Sequence, residues 1–284
     1  MVVLVTGANG QLGQSIALVA NNYPSIQFKF FDYKSLDITN KKKCQEVFAK
    51  IKPHYCINTA AYTAVDKAES ESEKAQIINV DGAKNIAEVC KEHDTILLHI
   101  STDFVFDGSK TTPYTERDSP NPQSVYGQTK LDGEKAIQET LNNYFIIRTS
   151  WVYSQFGHNF MNTILRLSSE RTSLSIVNDQ IGTPTNAVDL AEAILKIITS
   201  NIQNPASNYG IYNFSNEGQC SWYDFAQKIL EKHNININLH PIPTTSYPTP
   251  AQRPKYSVLN KSKIKTIFGI EIKTWEKSLE TVVI

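Results

Sequence analysis

Residues 2–20 read VVLVTGANGQLGQSIALVA, a short apolar run rich in β-branched residues that passes through three glycines into a helical pattern. Residues 2–5 have the composition of a parallel strand buried on both faces. Gly7, Gly10 and Gly13 follow with the spacing G-x-x-G-x-x-G. Glycine serves such a turn by tolerating positive φ, by letting backbone approach a ligand and by allowing tight helix–strand packing. The helix that starts there presents unpaired N–H groups and the positive end of its dipole, which suits a pyrophosphate. Strand, spacing and helix together point to a dinucleotide site, the plainer alternative being an ordinary strand-to-helix turn.

The same rhythm continues downstream. IQFKFFD (26–32), YCINTA (55–60), TILLHIST (95–102) and YFIIRTSWVY (144–153) read as further strands, separated by helical stretches such as NKKKCQEVFAKI (40–51) and EKAQIINVDGAKNIAEVCKEH (73–93). This alternation, with right-handed crossovers, predicts an α/β fold with a doubly wound parallel sheet of the Rossmann type, whose ligands lie beyond the carboxyl ends of the strands. Beyond Tyr153 the pattern loosens. Residues 159–170, 189–200 and 221–233 read as helices, the last with Ser221 as N-cap; 210–216 reads as a strand, and 239–260 is too proline-rich for regular structure. The expected division is a nucleotide-binding domain of residues 1–153 plus about 186–216, and a smaller C-terminal substrate-binding lobe of about 154–185 plus 217–284.

Composition narrows the function classes. The chain has 284 residues, 40% hydrophobic and 20% charged, with 28 Lys and Arg against 28 Asp and Glu. A zero net charge argues against a general nucleic-acid binder, because such binding draws on a basic surface. Cys44, Cys56, Cys90 and Cys220 are far apart and form no CxxC pair, so reduced, buried thiols are expected rather than a zinc or redox site. The six histidines show no ligand spacing. The opening apolar run is too short and lacks the basic leader of a secretory signal, and no stretch approaches a membrane span. A cytoplasmic protein with no membrane partner is expected.

Two further features carry chemistry. Asp32 ends the second expected strand, where a carboxylate accepts hydrogen bonds from ribose hydroxyls; Asp37 lies either near the adenine edge or at the cap of the following helix. SVYGQTK (124–130) places Tyr126 four residues before Lys130, on one helix face. That is either a phenol held beside an ammonium or a solvated surface pair.

With NTAAY (58–62) and STD (101–103), each at or just beyond a strand end, these features resemble the extended short-chain dehydrogenase/reductase family along essentially the whole chain. The resemblance implies that Tyr126 is the acid/base, that Lys130 lowers its pKa and holds the nicotinamide ribose, and that Thr102 helps to bind the reacting oxygen. A free tyrosine titrates at about pH 10, and an adjacent ammonium favours the phenolate. AAYTAVDKAE (60–69), STDFVFDG (101–108), VYGQTKLDGEKA (125–136), RTSWVY (148–153) and TPAQRPKYSVLNKSK (249–263) closely resemble the dTDP-4-dehydrorhamnose reductase family. That resemblance implies reduction of a 4-keto sugar carried on dTDP. It also implies cofactor contacts at Gly10, Gln11, Leu12, Asp32, Asp37, Ile38, Ala60, Ala61 and Tyr62, and substrate contacts at Thr102, Asp103 and Trp151. Arg253 is a further candidate, because a guanidinium forks onto a pyrophosphate. The plainer readings are core packing for Trp151 and a surface ion pair for Arg253.

Other readings stay in view. A nucleotide-sugar dehydratase of the same fold needs an acid beside the threonine, whereas Phe104 follows Asp103 here; an epimerase shares the remaining residues. A non-catalytic subunit, resembling the regulatory subunit of methionine adenosyltransferase, would have no chemical reason to keep Thr102, Tyr126 and Lys130. Asp32 favours NADH by repelling a 2′-phosphate, while the family accepts both cofactors and Lys34 lies close by, so use of NADPH or NADH is expected. The expected partner is a nucleotide-sugar substrate, and a homodimer is compatible with the resemblance. Some related reductases form metal-bridged dimers through acidic residues on the first helix; Gln11 and Gln14 stand there instead, so no metal is expected.

Overall fold

A computed structural model describes residues 1–203 and 208–283. Within the expected segments 186–216 and 217–284, residues 204–207 and residue 284 lie outside the described residues. The chain begins β1 (Val2–Thr6), α1 (Gln11–Ala20), β2 (Gln27–Phe31), α2 (Lys41–Ile51) and β3 (Tyr55–Asn58). Two short helices, α3 (Val65–Ala68) and α4 (Ser72–Gln76), lead through a π turn (Ile77–Asp81) into α5 (Gly82–Glu92). Then come β4 (Ile96–Thr102), α6 (Val125–Thr140), β5 (Tyr144–Thr149), β6 (Val152–Tyr153) and α7 (Phe160–Glu170). The rest comprises β7 (Ser173–Val177), β8 (Ile181–Gly182), β9 (Thr185–Asn186), α8 (Ala187–Gln203), β10 (Gly210–Asn213), β11 (Cys220–Ser221), α9 (Trp222–Lys232), β12 (Asn238–Ile242), α10 (Ser262–Phe268) and α11 (Trp275–Glu280).

Six strands form one parallel sheet in the order β10-β5-β4-β3-β1-β2. The order reverses between β1 and β3, so a crevice opens beyond their carboxyl ends, where Gly7 and the Thr59–Tyr62 turn emerge. The continuous apolar runs of the sequence are explained by burial on both faces. Val3, Val5 and Ile57 pack toward α8 and α10, while Leu4, Cys56 and Leu97 pack toward α2 and α5. Each such side chain contributes about 1.5–3 kcal/mol by leaving water. A third apolar cluster, built on Tyr153, Met161, Phe225, Ile229 and Trp275, holds the C-terminal lobe together.

Several expectations are corrected. The strand expected at 144–153 breaks after Thr149, because Trp151 takes a φ of 47° and turns the chain out of the sheet into β6. The helix expected at 73–93 is interrupted by the π turn. Within 239–260, Asn238–Ile242 is a strand parallel to β7; Pro241 is tolerated because β12 is an edge strand of a two-stranded sheet. Ile264, Phe268 and Ile270 pack on the sheet-side core rather than with the C-terminal cluster. Ser221 does cap α9, in a capping box with Asp224. All four cysteines are buried and unpaired. No helix among the described residues is long and apolar enough to cross a membrane.

Candidate active site

The glycine loop is shaped by contacts that leave no room for side chains. Gly7 has φ +66°, and a Cβ there would lie 2.7 Å from the Ala60 nitrogen; at Gly13 it would lie 2.5 Å from the Gly7 carbonyl. Gly10 is the extended N-cap of α1 and is exposed, so its lack of a side chain keeps the space before the helix N-terminus open. The first turn of α1 holds no acidic residue, which suits an anion. Leu12 is buried in the core and offers the site only backbone. Gln11 reaches across to the lobe, donating to the Val152 carbonyl at 3.1 Å.

Asp32 stands beside this loop, its Oδ2 accepting from Asn9 Nδ2 at 3.0 Å. Ser35 donates to Oδ1 from its backbone at 2.9 Å and from its hydroxyl at 2.6 Å. These Ser35 bonds hold the carboxyl below its ordinary range. Asp37 accepts from the Thr39 nitrogen and hydroxyl, whereas the cap of α2 is Asn40, so the capping alternative for Asp37 is not realised. Ile38 is a core residue packed against Gly82, which leaves its main chain as the part able to meet a ligand.

Ala60, Ala61 and Tyr62 follow β3, pinned from both sides. Thr59 Oγ1 donates to the Thr6 carbonyl at 2.6 Å. Asn79, buried in the π turn, accepts from the Tyr62 nitrogen and donates to the Tyr62 carbonyl and to Thr129 Oγ1. Asn79 therefore ties the turn to the helix one residue before Lys130. The uniform helical pattern expected for 73–93 concealed this role; a polar residue on the helix's buried side was its available signal.

Ser124 caps α6 by accepting from the Gly127 nitrogen at 3.1 Å, which sets Tyr126 in the first turn and Lys130 one turn later. Gly127 allows the approach to the β4 end, since a Cβ there would lie 2.2 Å from the Phe104 carbonyl. Tyr126 is half-buried, edge-on to Phe104 with ring centroids 5.6 Å apart. Burial pushes its phenol up to about 12, the Thr102 hydroxyl acts the other way and the Asp103 charge adds to the rise. Thr102 Oγ1 donates to Asp103 Oδ1 at 3.1 Å and accepts from the Phe104 nitrogen at 3.2 Å. Asp103 is buried, with Oδ2 lacking a partner among the described residues, and burial raises it to about 6, the nearby Ser257 and Thr102 hydroxyls acting the other way.

Lys130 packs against β4. Its Nζ donates to the Ile100 carbonyl at 2.7 Å and lies 3.2 Å from His99 Nε2. Burial lowers the amine to about 8, with Glu134 opposing. Burial is the largest influence on the phenol. Behind the helix, Glu134 takes a bidentate bond from buried Arg148, Nε at 2.9 Å and Nη2 at 2.6 Å, and a further bond from Ser101. Sequence reasoning missed His99, although polar residues alternating as His99 and Ser101 along one face of a buried strand were its trace.

Trp151 lies face to face on Trp222, centroids 3.5 Å apart and 9° from parallel, against Gly182. It stands two residues beyond Thr149, the register partner of Thr102, so it borders the same end of the sheet. Arg253 makes a bidentate pair with Asp66 at 2.9 and 2.7 Å, the ion-pair reading, and also donates to Thr249 Oγ1 at 2.6 Å. Its loop runs back to Ser257 beside Asp103.

A family model described as the RmlD substrate binding domain matches residues 1–284. A curated dTDP-4-dehydrorhamnose reductase from Aggregatibacter actinomycetemcomitans is 40% identical over 99% of this chain and 97% of its own length. The crystal structure of a dTDP-4-dehydrorhamnose reductase from Clostridium acetobutylicum superposes with a TM-score of 0.93 at 41% identity, over 99% of this chain and 97% of the other. One from Bacillus anthracis in complex with NADP gives a TM-score of 0.92 at 41% identity, over 98% and 97%.

Proposed function

The chain belongs to the family of the RmlD substrate binding domain, and from that premise we propose that it reduces the 4-keto group of dTDP-4-dehydro-L-rhamnose to give dTDP-L-rhamnose. The cofactor is NADPH or NADH, which supplies the hydride. The observation that carries the reading is the approach of Tyr126 to the carboxyl end of β4, its ring edge-on to Phe104, whose nitrogen donates to Thr102, at the same edge of the sheet as a glycine loop shaped for a pyrophosphate. Gly7, Gly10, Gln11, Leu12 and Gly13 line the phosphate end of the cofactor site, Asp32 serves its adenosine ribose, and the Ala60–Tyr62 turn and Lys130 hold the nicotinamide end.

In reduction the substrate oxygen gains negative charge. Tyr126, kept protonated by burial, gives its proton to that oxygen, while the Thr102 hydroxyl, which donates to Asp103 in the structure, turns its proton to the substrate oxygen. Asp103 anchors Thr102 from below and contacts the sugar; Trp151 supplies an aromatic face and Arg253 a charge for the diphosphate. Phe104 supports reduction over elimination, because its ring lies against Tyr126 where a dehydratase needs an acid. Four unpaired buried thiols and a reduced cofactor favour the cytoplasm as the site of action.

The test is to mix the purified chain with the keto sugar and reduced cofactor and follow loss of dihydronicotinamide absorbance. Stoichiometric oxidation that depends on the sugar is expected. Absence of turnover with either cofactor contradicts the proposal and leaves the non-catalytic reading.

A further inference from the structure

A polar row crosses the sheet beneath Lys130. Thr6 on β1, Asn58 on β3 and His99 on β4 are register partners in turn, and all three are buried in a sheet whose other inward residues are largely apolar. Thr6 Oγ1 donates to Asn58 Oδ1 at 2.6 Å, Asn58 Nδ2 lies 3.1 Å from His99 Nδ1, and His99 Nε2 lies 3.2 Å from Lys130 Nζ. Buried polar groups of this kind cost free energy unless each proton finds an acceptor.

The protons of the row have one consistent arrangement. Asn58 Oδ1 takes the Thr6 hydroxyl proton, and the Thr6 oxygen accepts from the Ala60 nitrogen at 3.4 Å. Asn58 therefore turns its N–H toward His99, making Nδ1 the lone pair of the ring. In a neutral imidazole the proton is then on Nε2, aimed at Lys130 Nζ. A neutral amine meets that proton with its lone pair while still donating to Ile100; an ammonium would set N–H against N–H. Reversing the tautomer requires the Asn58 amide to turn as well, which leaves the Thr6 proton without an acceptor among the described residues.

The other charged and titratable groups around the amine do not cancel this bias. Tyr126 and Glu134 stand one turn away on the same helix, Asp103 lies in the turn beyond β4, Arg148 faces from β5, and Glu69 meets the helix start at the Val125 nitrogen. Glu134 favours the ammonium but is already paired with Arg148, and burial opposes the charge.

We propose that the Thr6–Asn58–His99 row biases Lys130 toward the neutral amine while the cofactor site is empty, and that binding of the reduced dinucleotide is accompanied by uptake of one solvent proton at Lys130 Nζ. The step adds a proton to the amine lone pair and breaks no other bond. The resulting ammonium donates to hydroxyl oxygens of the cofactor, so the inference rests on the reading of Lys130 as a cofactor ligand. His99 acts as a positioning residue.

The test is calorimetric titration of NADPH, and separately NADH, into the full chain in phosphate and in Tris, whose ionisation heats differ. Uptake of roughly half a proton or more per cofactor is expected at about pH 8.5, with affinity falling by up to about tenfold per pH unit above about pH 8. Thr6→Val frees the Asn58 amide, and His99→Gln gives the ammonium a carbonyl acceptor. Each should lower the uptake by at least about half while leaving affinity at about pH 6.5 within about threefold. A purely structural role would weaken binding at every pH and leave the proton number unchanged. Thr6→Val is nearly isosteric and keeps the test open where His99→Gln does not fold. Binding that depends on Lys130 but takes up no proton overturns the inference alone, as does equal uptake in wild type and variants. Binding unchanged in Lys130→Met overturns the site reading and the inference with it.

Discussion

Burial pushes the Tyr126 phenol up to about 12, so at neutral pH it stands as the protonated acid that carbonyl reduction needs. Tyr126→Phe should keep cofactor affinity and lower kcat by roughly two to four orders of magnitude, the usual scale for a lost general acid; turnover near wild type in a folded variant would remove Tyr126 from the mechanism. Asp103 carries a different signature. Its folded pKa, raised to about 6, lies above the unfolded value, so ionising it in the folded protein costs stability as pH rises from about 4 to about 6. Asp103→Asn should therefore stabilise the fold at pH 7 by about 1–3 kcal/mol while weakening turnover. Thermal melts at about pH 4 and pH 7 check the sign: a gain of similar size at both would show that ionisation is not its source. At this scale spacing set Tyr126 beside Lys130 and the resemblance added Thr102, but the partners of Lys130 come from β4, and no local spacing reveals which histidine a helix will settle against.

The helix α6 is held close to the β4 end by an absent side chain. Gly127→Ala puts a methyl group 2.2 Å from the Phe104 carbonyl, a backbone atom that yields only if helix or turn moves. A loss of about 1–3 kcal/mol in stability is expected, with a fall in kcat larger than the change in cofactor affinity. Denaturant melts beside steady-state kinetics would measure both; intact kcat with lowered stability would show that the helix position does not set the acid. The sheet itself was readable because strands buried on both faces are continuous apolar runs and their alternation with helices implies parallel crossovers, while the strand order is seen only in the structure. What hid from view were the features made by tertiary contact: the turn at Trp151, the π turn that presents Asn79, and β12, whose Pro241 disguised an edge strand.

Across the whole molecule, the proposed site joins the carboxyl end of the sheet to the lobe and the 249–257 loop. Arg253 ties that loop to α3 through Asp66, and the same guanidinium is the charge assigned to the substrate diphosphate. Arg253→Ala should raise KM for the nucleotide sugar by roughly tenfold or more with little change in cofactor affinity; an unchanged KM would leave only the ion pair. The glycine turn was legible from the first twenty residues because its spacing after a strand is local chemistry. The substrate half draws on segments a hundred residues apart, and resemblance rather than spacing connected them. The central claim is hydride delivery to C4 of the keto sugar. Its most direct test is to supply dTDP-4-dehydro-L-rhamnose with cofactor deuterated at the transferring position and locate the label by NMR. The account predicts dTDP-L-rhamnose with deuterium at C4, one label per cofactor oxidised; an unlabelled isomer of the keto sugar with the cofactor still reduced would contradict it.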